Sequence, residues 1–254
     1  MKVRTCTKVN IGLNIVRRRS DGYHDIETLF VPYYGLGDDL SIEPAERTDI
    51  SIGGSVKVDW DPWSDLTIKA WKLLKADFSS LPEVSIRLEK HAPAGAGLGG
   101  GSADAAFTLR MLNELGTLGL DEEALAGYAA RLGSDCPFFI WCRPTLGSGR
   151  GEVLEPFDPG LEAYEIRVEV PSGVSVSTRE AYAGVTPGRW SLPLRDALAL
   201  PVEQWKDHVF NDFEATVGRA HPEIPALVGN MYGRGAIYAA MSGSGSAVFG
   251  LFGK

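Results

Sequence analysis

Residues 93–106 read Pro93-Ala94-Gly95-Ala96-Gly97-Leu98-Gly99-Gly100-Gly101-Ser102-Ala103-Asp104-Ala105-Ala106, and the fold class turns on them. Five of the seven residues from Gly95 to Gly101 are glycine. Glycine lets the main chain approach a ligand closely and turn its N–H groups toward it. A helical pattern follows at once over residues 102–115, with Ala105, Leu109, Leu112 and Leu115 on one face. Before the loop, Val84, Ile86 and Leu88 alternate as in a strand. Strand, glycine loop and helix N-terminus together make a phosphate cradle, because the helix adds unpaired N–H groups and its dipole. Ser102 stands where a hydroxyl can reach a phosphate oxygen or a magnesium ion. No Lys-Ser or Lys-Thr closes the loop, so it is not a Walker loop. It contains GxGxxG at Gly95, Gly97 and Gly100, but the acidic residue of a dinucleotide fold, about 20 residues on, would fall near the end of the next helix. A flexible hinge would need neither Leu98 nor a helix directly behind it.

Upstream, Val9, Ile11, Leu13 and Ile15 alternate with Lys8, Asn10, Gly12 and Asn14. A period of two predicts a strand with one buried face and puts Lys8 and Asn10 together on the other, about 6–7 Å apart. Ser20-Asp21-Gly22 is a turn signal. Strands are expected over 25–34, 40–42 and 49–52, and a helix over 65–78 capped by Ser64 or Asp65. Downstream, Asp121 caps a helix that Gly133 ends, and 138–141 is a buried run. The run 147–151 (GSGRG) is the best boundary signal. Beyond it lie an alternating strand at 165–170 and short helical patterns at 179–183 and 213–217. The segments 237–241 and 247–252 pair across Ser242-Gly243-Ser244-Gly245-Ser246. This mixed order predicts an α+β protein of two domains, 1–150 and 151–254.

Composition narrows the function. The 254 residues are 44% apolar and 23% charged, which excludes a disordered chain. A formal net charge of −8 excludes a whole-surface footprint for nucleic acid, so an anion would bind only at a local site of a few cations and main-chain N–H groups. No stretch approaches a membrane span, and Lys8, Asn10, Arg17, Arg18 and Arg19 interrupt any signal-like run, so a cytoplasmic protein is expected. Cys6, Cys136 and Cys142 form no CxxC pair, and their odd number points to reduced thiols rather than a disulfide framework. Nothing in the sequence specifies an oligomeric state.

The loop resembles the PxxxGLGSSSA signature of the galactokinase, homoserine kinase, mevalonate kinase and phosphomevalonate kinase (GHMP) superfamily. Further blocks resemble one branch of it, the kinases of 4-diphosphocytidyl-2-C-methyl-D-erythritol. They are Thr7-Lys8-Val9-Asn10, Asp21-Gly22-Tyr23-His24, Glu27-Thr28-Leu29-Phe30, 132–139 (LGSDCPFF), Gly149-Arg150-Gly151-Glu152, Asn211-Asp212-Phe213-Glu214 and Ser242-Gly243-Ser244-Gly245. They occur in the family's order from residue 5 to the C-terminus.

The resemblance implies a two-domain GHMP-kinase fold with the active site in the cleft between the domains. It implies ATP with magnesium as phosphoryl donor and a cytidine-diphosphate polyol as acceptor. Asp135 and Lys8 then flank the acceptor hydroxyl, Asp135 taking its proton and Lys8 steadying charge on the moving phosphoryl group. Residues 93–103 bind the triphosphate. Asn10 binds the polyol, Tyr23 and His24 grip the cytosine, Tyr182 stacks on the base, and Ser242 to Gly245 line the cleft. Two departures stand out. Ala94 replaces a lysine that some relatives carry, so one phosphate contact is missing or supplied from elsewhere, with Lys90 as the candidate. Asp65 stands where an asparagine is usual, which leaves the adenine contacts open. His91, His208 and His221 lack ligand spacing and read as structural. Two other readings stay open at this level: a GHMP kinase acting on mevalonate, homoserine or a sugar, and a nucleotide-binding module without catalysis.

Overall fold

The computed structural model describes residues 1–185, 187 and 190–254. Among these the strands run, in chain order, β1 (Lys2–Arg4), β2 (Thr7–Arg18), β3 (His24–Tyr33), β4 (Asp39–Pro44), β5 (Asp49–Gly54), β6 (Val84–Lys90), β7 (Thr145–Ser148), β8 (Val153–Pro156), β9 (Tyr164–Glu169), β10 (Tyr238–Met241) and β11 (Val248–Gly253). The helices are α1 (Leu66–Asp77), α2 (Gly100–Leu115), α3 (Glu122–Leu132), α4 (Phe138–Trp141), α5 (Thr178–Ala183), α6 (Leu194–Leu198), α7 (Trp205–His208), α8 (Glu214–Ala220) and α9 (Glu223–Gly233). None of the described helices is long and apolar enough to cross a membrane. The architecture is α+β, as the mixed element order predicts.

The chain forms two compact units that interleave along the sequence. The first comprises Met1–Thr7, Tyr34–Ala94 and Gly99–Cys142; the second comprises Lys8–Tyr33, Gly95–Leu98 and Arg143–Lys254. The GSGRG run is therefore no boundary: it turns β7 into β8 inside the second unit, with Ser148 paired to Val153.

In the first unit α2 packs on a sheet of order β1-β4-β6-β5, and α1 and α3 pack against α2. β4 and β6 are antiparallel, with Leu40 opposite Leu88 and Ile42 opposite Ile86. β5 runs parallel to β6, which requires the crossover that α1 supplies. Leu40, Ile42, Val84, Ile86 and Leu88 are fully buried because alternate residues face the helices. Asp65 rather than Ser64 caps α1, its carboxylate accepting the Thr67 N–H. Helix α2 starts at Gly100, two residues before the periodic pattern, because the small residues Gly100 and Gly101 already take helical geometry. Gly133 ends α3, as expected, in extended backbone with φ 177°.

The second unit holds two sheets, β2-β3-β7-β8 and β10-β11-β9. The β10–β11 hairpin across the SGSGS turn is antiparallel, with Met241 opposite Val248. Leu13, Ile15, Phe213, Ile224, Met231 and Met241 belong to its core. The alternation in β2 is real, yet both faces are covered: Lys8, Asn10 and Asn14 are only 4%, 3% and 2% exposed. From Thr7 to Ile15 the polar residues of this strand are buried rather than forming a solvent face. Helix α9 was not expected, because Pro225 and two glycines mask its stripe of Ile224, Val228 and Met231.

Candidate active site

In the second unit β2 carries Lys8 and Asn10 side by side. The Lys8 ammonium donates to the Asn10 side-chain oxygen and to the Gly97 carbonyl oxygen at 2.8 Å. It also lies 5.6 Å from the centre of the Phe30 ring. The Asn10 amide nitrogen donates to Thr28 Oγ1 at 3.0 Å, and Thr28 donates to Gly12 O at 2.6 Å. Both ends of the Asn10 carboxamide thus have partners, and one of them is the lysine. From the SGSGS turn, Ser242 Oγ accepts the Asn10 main-chain N–H at 3.0 Å and donates to Gly97 O at 3.2 Å. Gly97 takes φ +76°, and a Cβ there would lie 2.3 Å from Ser242 O, so only glycine fits. The Lys8 N–H donates to Leu98 O and the Ala247 N–H to Ala96 O, which ties the loop to both strands through its carbonyls. Gly243 and Gly245 are buried and Ser244 is half-buried.

The loop's N–H groups behave differently. Among the described residues none of the main-chain N–H groups from Gly95 to Ser102 donates a hydrogen bond within the protein. Gly99, the residue before α2, offers no side-chain cap either. Unpaired main-chain donors in a glycine loop and at a helix N-terminus are the means by which proteins hold phosphates. Pro93 and Gly99 are half-buried, Ala94, Gly95 and Gly101 exposed, and Ala96, Leu98, Gly100 and Ala103 buried.

In the first unit the start of α2 sits over a buried charge cluster. Lys90 Nζ donates to Asp38 and, at 2.8 Å, to Asp104. Asp38 also accepts the N–H groups of His91 and Ala92. Thr5 Oγ1 donates to Asp104 at 3.1 Å. Burial pushes the Asp104 carboxyl up to about 7 even with Lys90 beside it. For Asp38, burial pushes the same way, but Lys90 and the two N–H groups outweigh it and hold the carboxyl below its usual range. Lys90 is therefore poorly placed to replace the loop lysine that Ala94 lacks: it is 3% exposed and its ammonium is already bonded to Asp38 and Asp104. A Cβ on Gly100 would meet Ala92, Asp38 and Lys90 within 4 Å, so this cluster props the first residue of α2.

Asp135 lies half-buried in the turn between α3 and α4. Ser102 stands in the first turn of α2, and burial pushes the Cys136 thiol in the turn after α3 up to about 11. Cys6 and Cys142 are free thiols with sulfurs 3.5 Å apart. Among the described residues no group of three or more His, Cys, Asp or Glu side chains is arranged to hold a metal.

The candidate base-binding aromatics, Tyr23, His24 and Tyr182, belong to the second unit. His24 stacks on Tyr182 with ring centres 4.7 Å apart and planes at 20°. Tyr182 meets Phe213 edge-on at 4.7 Å. Tyr23 is 57% exposed with the Arg150 guanidinium 5.2 Å from its ring centre. His24 covers one face of the Tyr182 ring, so a base stacking on Tyr182 would take the other face or displace the imidazole. The exposed Tyr23 face remains for stacking. Burial, and then Arg18, hold the His24 imidazole below its ordinary pKa, which favours the neutral ring. Asp65 is spent on capping α1 and on Trp60 Nε1. His91 bonds Ser55 and His221 bonds Glu180.

Sequence reading did not pick out Thr28, Asp38, Asp104 or Asn211 as part of this region. Thr28, Asp104 and Asn211 stand inside the motif blocks, which was the available signal. The pairing of Lys90 with Asp38 and Asp104 joins residues 52 and 14 positions apart and leaves no local signature.

Residues 65–143 match the family of GHMP kinases N terminal domains, and residues 197–254 the GHMP kinases C terminal family. The 4-diphosphocytidyl-2-C-methyl-D-erythritol kinase of Bacteroides fragilis is 46% identical over 248 residues, spanning 96% of this chain and 89% of its own. The crystal structure of a 4-(cytidine 5'-diphospho)-2C-methyl-D-erythritol kinase superposes with a TM-score of 0.79 at 35% identity, over 99% of this chain and 90% of that one. A mevalonate kinase, at 12% identity and a TM-score of 0.70 over 99% of this chain and 91% of that one, shares the fold alone.

Proposed function

The chain belongs to the GHMP kinases, in the family of 4-diphosphocytidyl-2-C-methyl-D-erythritol kinases, and on that premise we propose which groups carry the reaction. It is an ATP-dependent phosphotransferase of non-mevalonate isoprenoid synthesis, acting on the cytidine-diphosphate polyol. The acceptor is the tertiary C2 hydroxyl. Its oxygen forms a bond to the γ-phosphorus, the bond to the β,γ-bridging oxygen breaks, and ADP leaves. Asp135 receives the hydroxyl proton. Lys8 offsets charge on the transferring phosphoryl group, and its ammonium is held in place by Asn10 and Gly97. The observation that supports this reading most is the run of unpaired main-chain N–H groups from Gly95 to Ser102 in the same loop whose Gly97 carbonyl binds Lys8.

Pro93 to Ala103 take the triphosphate, with the N-terminus of α2 adding its dipole. Magnesium is usually held through substrate phosphates and few protein ligands, and Ser102 would be its protein contact here. When bound, that ion neutralises phosphate charge. Tyr23 stacks on the cytosine, and neutral His24, steadied by Tyr182, reads its edge. Asn10 contributes to the polyol site through the lysine it orients, and Ser242 to Gly245 line the same site. The enzyme works in the cytoplasm, where ATP is made available.

Offering each acceptor with ATP and magnesium and following ADP tests the substrate. Turnover with the cytidylyl polyol and none with mevalonate or homoserine is expected; the reverse pattern overturns the reading. Asp135→Asn should retain ATP binding while turnover falls by about 10² or more. Unchanged turnover removes Asp135 from the chemistry.

A further inference from the structure

Lys8 is positioned by groups that are themselves held from one buried side chain. Asn211 is 4% exposed. Its amide nitrogen donates to Met241 O at 2.9 Å and to Gly243 O at 2.8 Å, while its oxygen accepts the Phe213 N–H at 3.0 Å. Both amide hydrogens are used, so the side chain has a single orientation. The residue is also locked to the strand that carries Lys8. The Leu13 N–H donates to Phe210 O and the Asp212 N–H to Leu13 O, and Asp212 Oδ2 accepts the Ile15 N–H at 2.7 Å. The Met241 N–H is held from the other side by Glu214 at 2.6 Å.

The backbone that Asn211 grips leads directly to the amine. Ser242, between the two gripped carbonyls, accepts the Asn10 N–H and donates to Gly97 O, and the Lys8 ammonium donates to Asn10 and to the same Gly97 O. Gly243 lies against this cluster: a methyl built there would stand 3.0 Å from Asn10 Oδ1, 3.3 Å from Gly97 O and 3.5 Å from Lys8 Nζ. We propose that Asn211 is a positioning residue for phosphoryl transfer, which fixes the backbone of residues 241–243 and through it the place of the Lys8 ammonium. The proposal rests on the reading of Lys8 as the group beside the transferring phosphoryl. A side chain that only stabilised the fold would not act through Lys8, and that difference is measurable.

The test is a double-mutant cycle on the full chain, with kcat and KM for ATP and for the cytidylyl polyol. Asn211→Asp keeps the oxygen that accepts the Phe213 N–H and replaces both donated hydrogens by an oxygen facing two carbonyls. We expect kcat to fall about tenfold or more with both KM values within about twofold. In a Lys8→Met background the same substitution should cause no further loss, because residues that act as a unit are not additive. An unchanged kcat, a loss confined to KM, or losses that multiply in the double variant overturns the proposal while leaving the Lys8 reading intact. An unimpaired Lys8→Met overturns that reading and the proposal with it. Should Asn211→Asp not fold, Gly243→Ala moves the same backbone from the other side. The same kcat loss, absent in the Lys8→Met background, is expected, and multiplying losses overturn the route.

Discussion

Burial sets the charge state of single residues here. The Glu214 carboxyl is pushed from the ordinary 4.5 up to about 7 by burial, with the Met241 N–H opposing the shift. A raised folded value means that stability is whole below about 4.5 and is lost as pH climbs to about 7, because the unfolded chain ionises first. The loss is on the order of 3 kcal/mol. Glu214→Gln keeps an oxygen for the Met241 N–H and cannot ionise. Thermal melts from pH 4 to pH 8 should therefore show the wild type losing stability relative to the variant above pH 5, and parallel profiles would refute the neutral carboxyl. At this scale the alternation of the first strand put Lys8 and Asn10 on one face, and the resemblance to the family pointed to Tyr23, His24 and Asp135 as candidates. Neither was enough to tell that Lys90 is poorly placed for a phosphate. That depends on two carboxylates far along the chain, Asp38 and Asp104, and on the solvent being excluded from all three.

Among the elements, the glycine loop and α2 carry the clearest link from sequence to function. The loop's carbonyls are bonded and its N–H groups are not, and this asymmetry needs glycine where backbone meets backbone. Gly97→Ala places a methyl 2.3 Å from Ser242 O at φ +76°. It should raise KM for ATP by about tenfold or more, read by initial rates, with a smaller effect on KM for the acceptor. Equal effects on both substrates would disconnect this loop from the nucleotide. Most elements were legible from periodicity: β6, α1, α2, α3 and the β10–β11 hairpin stand where alternation, caps and turns put them. β2 shows the limit of that reasoning. Alternation reveals that two faces differ, not that one of them meets water, and here both are covered. Helix α9 was hidden for the converse reason, since its glycines and Pro225 weigh against a helix that packing of Ile224 and Met231 supports.

For the whole molecule, the division into units has a consequence for fragments. The chain passes between the units at five places, the last after Cys142. A fragment of residues 151–254 lacks β2, β3 and β7, which make up most of one sheet of its unit, and loses Leu13, Ile15 and Ile26 from the core. It should show no cooperative thermal transition by circular dichroism, and a folded fragment would contradict this division. The sequence alone determined the α+β class and the kinase family and pointed to residues 93–103 as the candidate phosphate loop, because glycine patterns, caps and motif order are local properties of neighbouring residues. Only the tertiary structure decided which polar groups have partners. Lys8 bound to Gly97, Lys90 shut between two carboxylates, and Asn211 holding residues 241–243 all join positions distant in the chain, and such pairings exist only once burial has removed water as the competing partner.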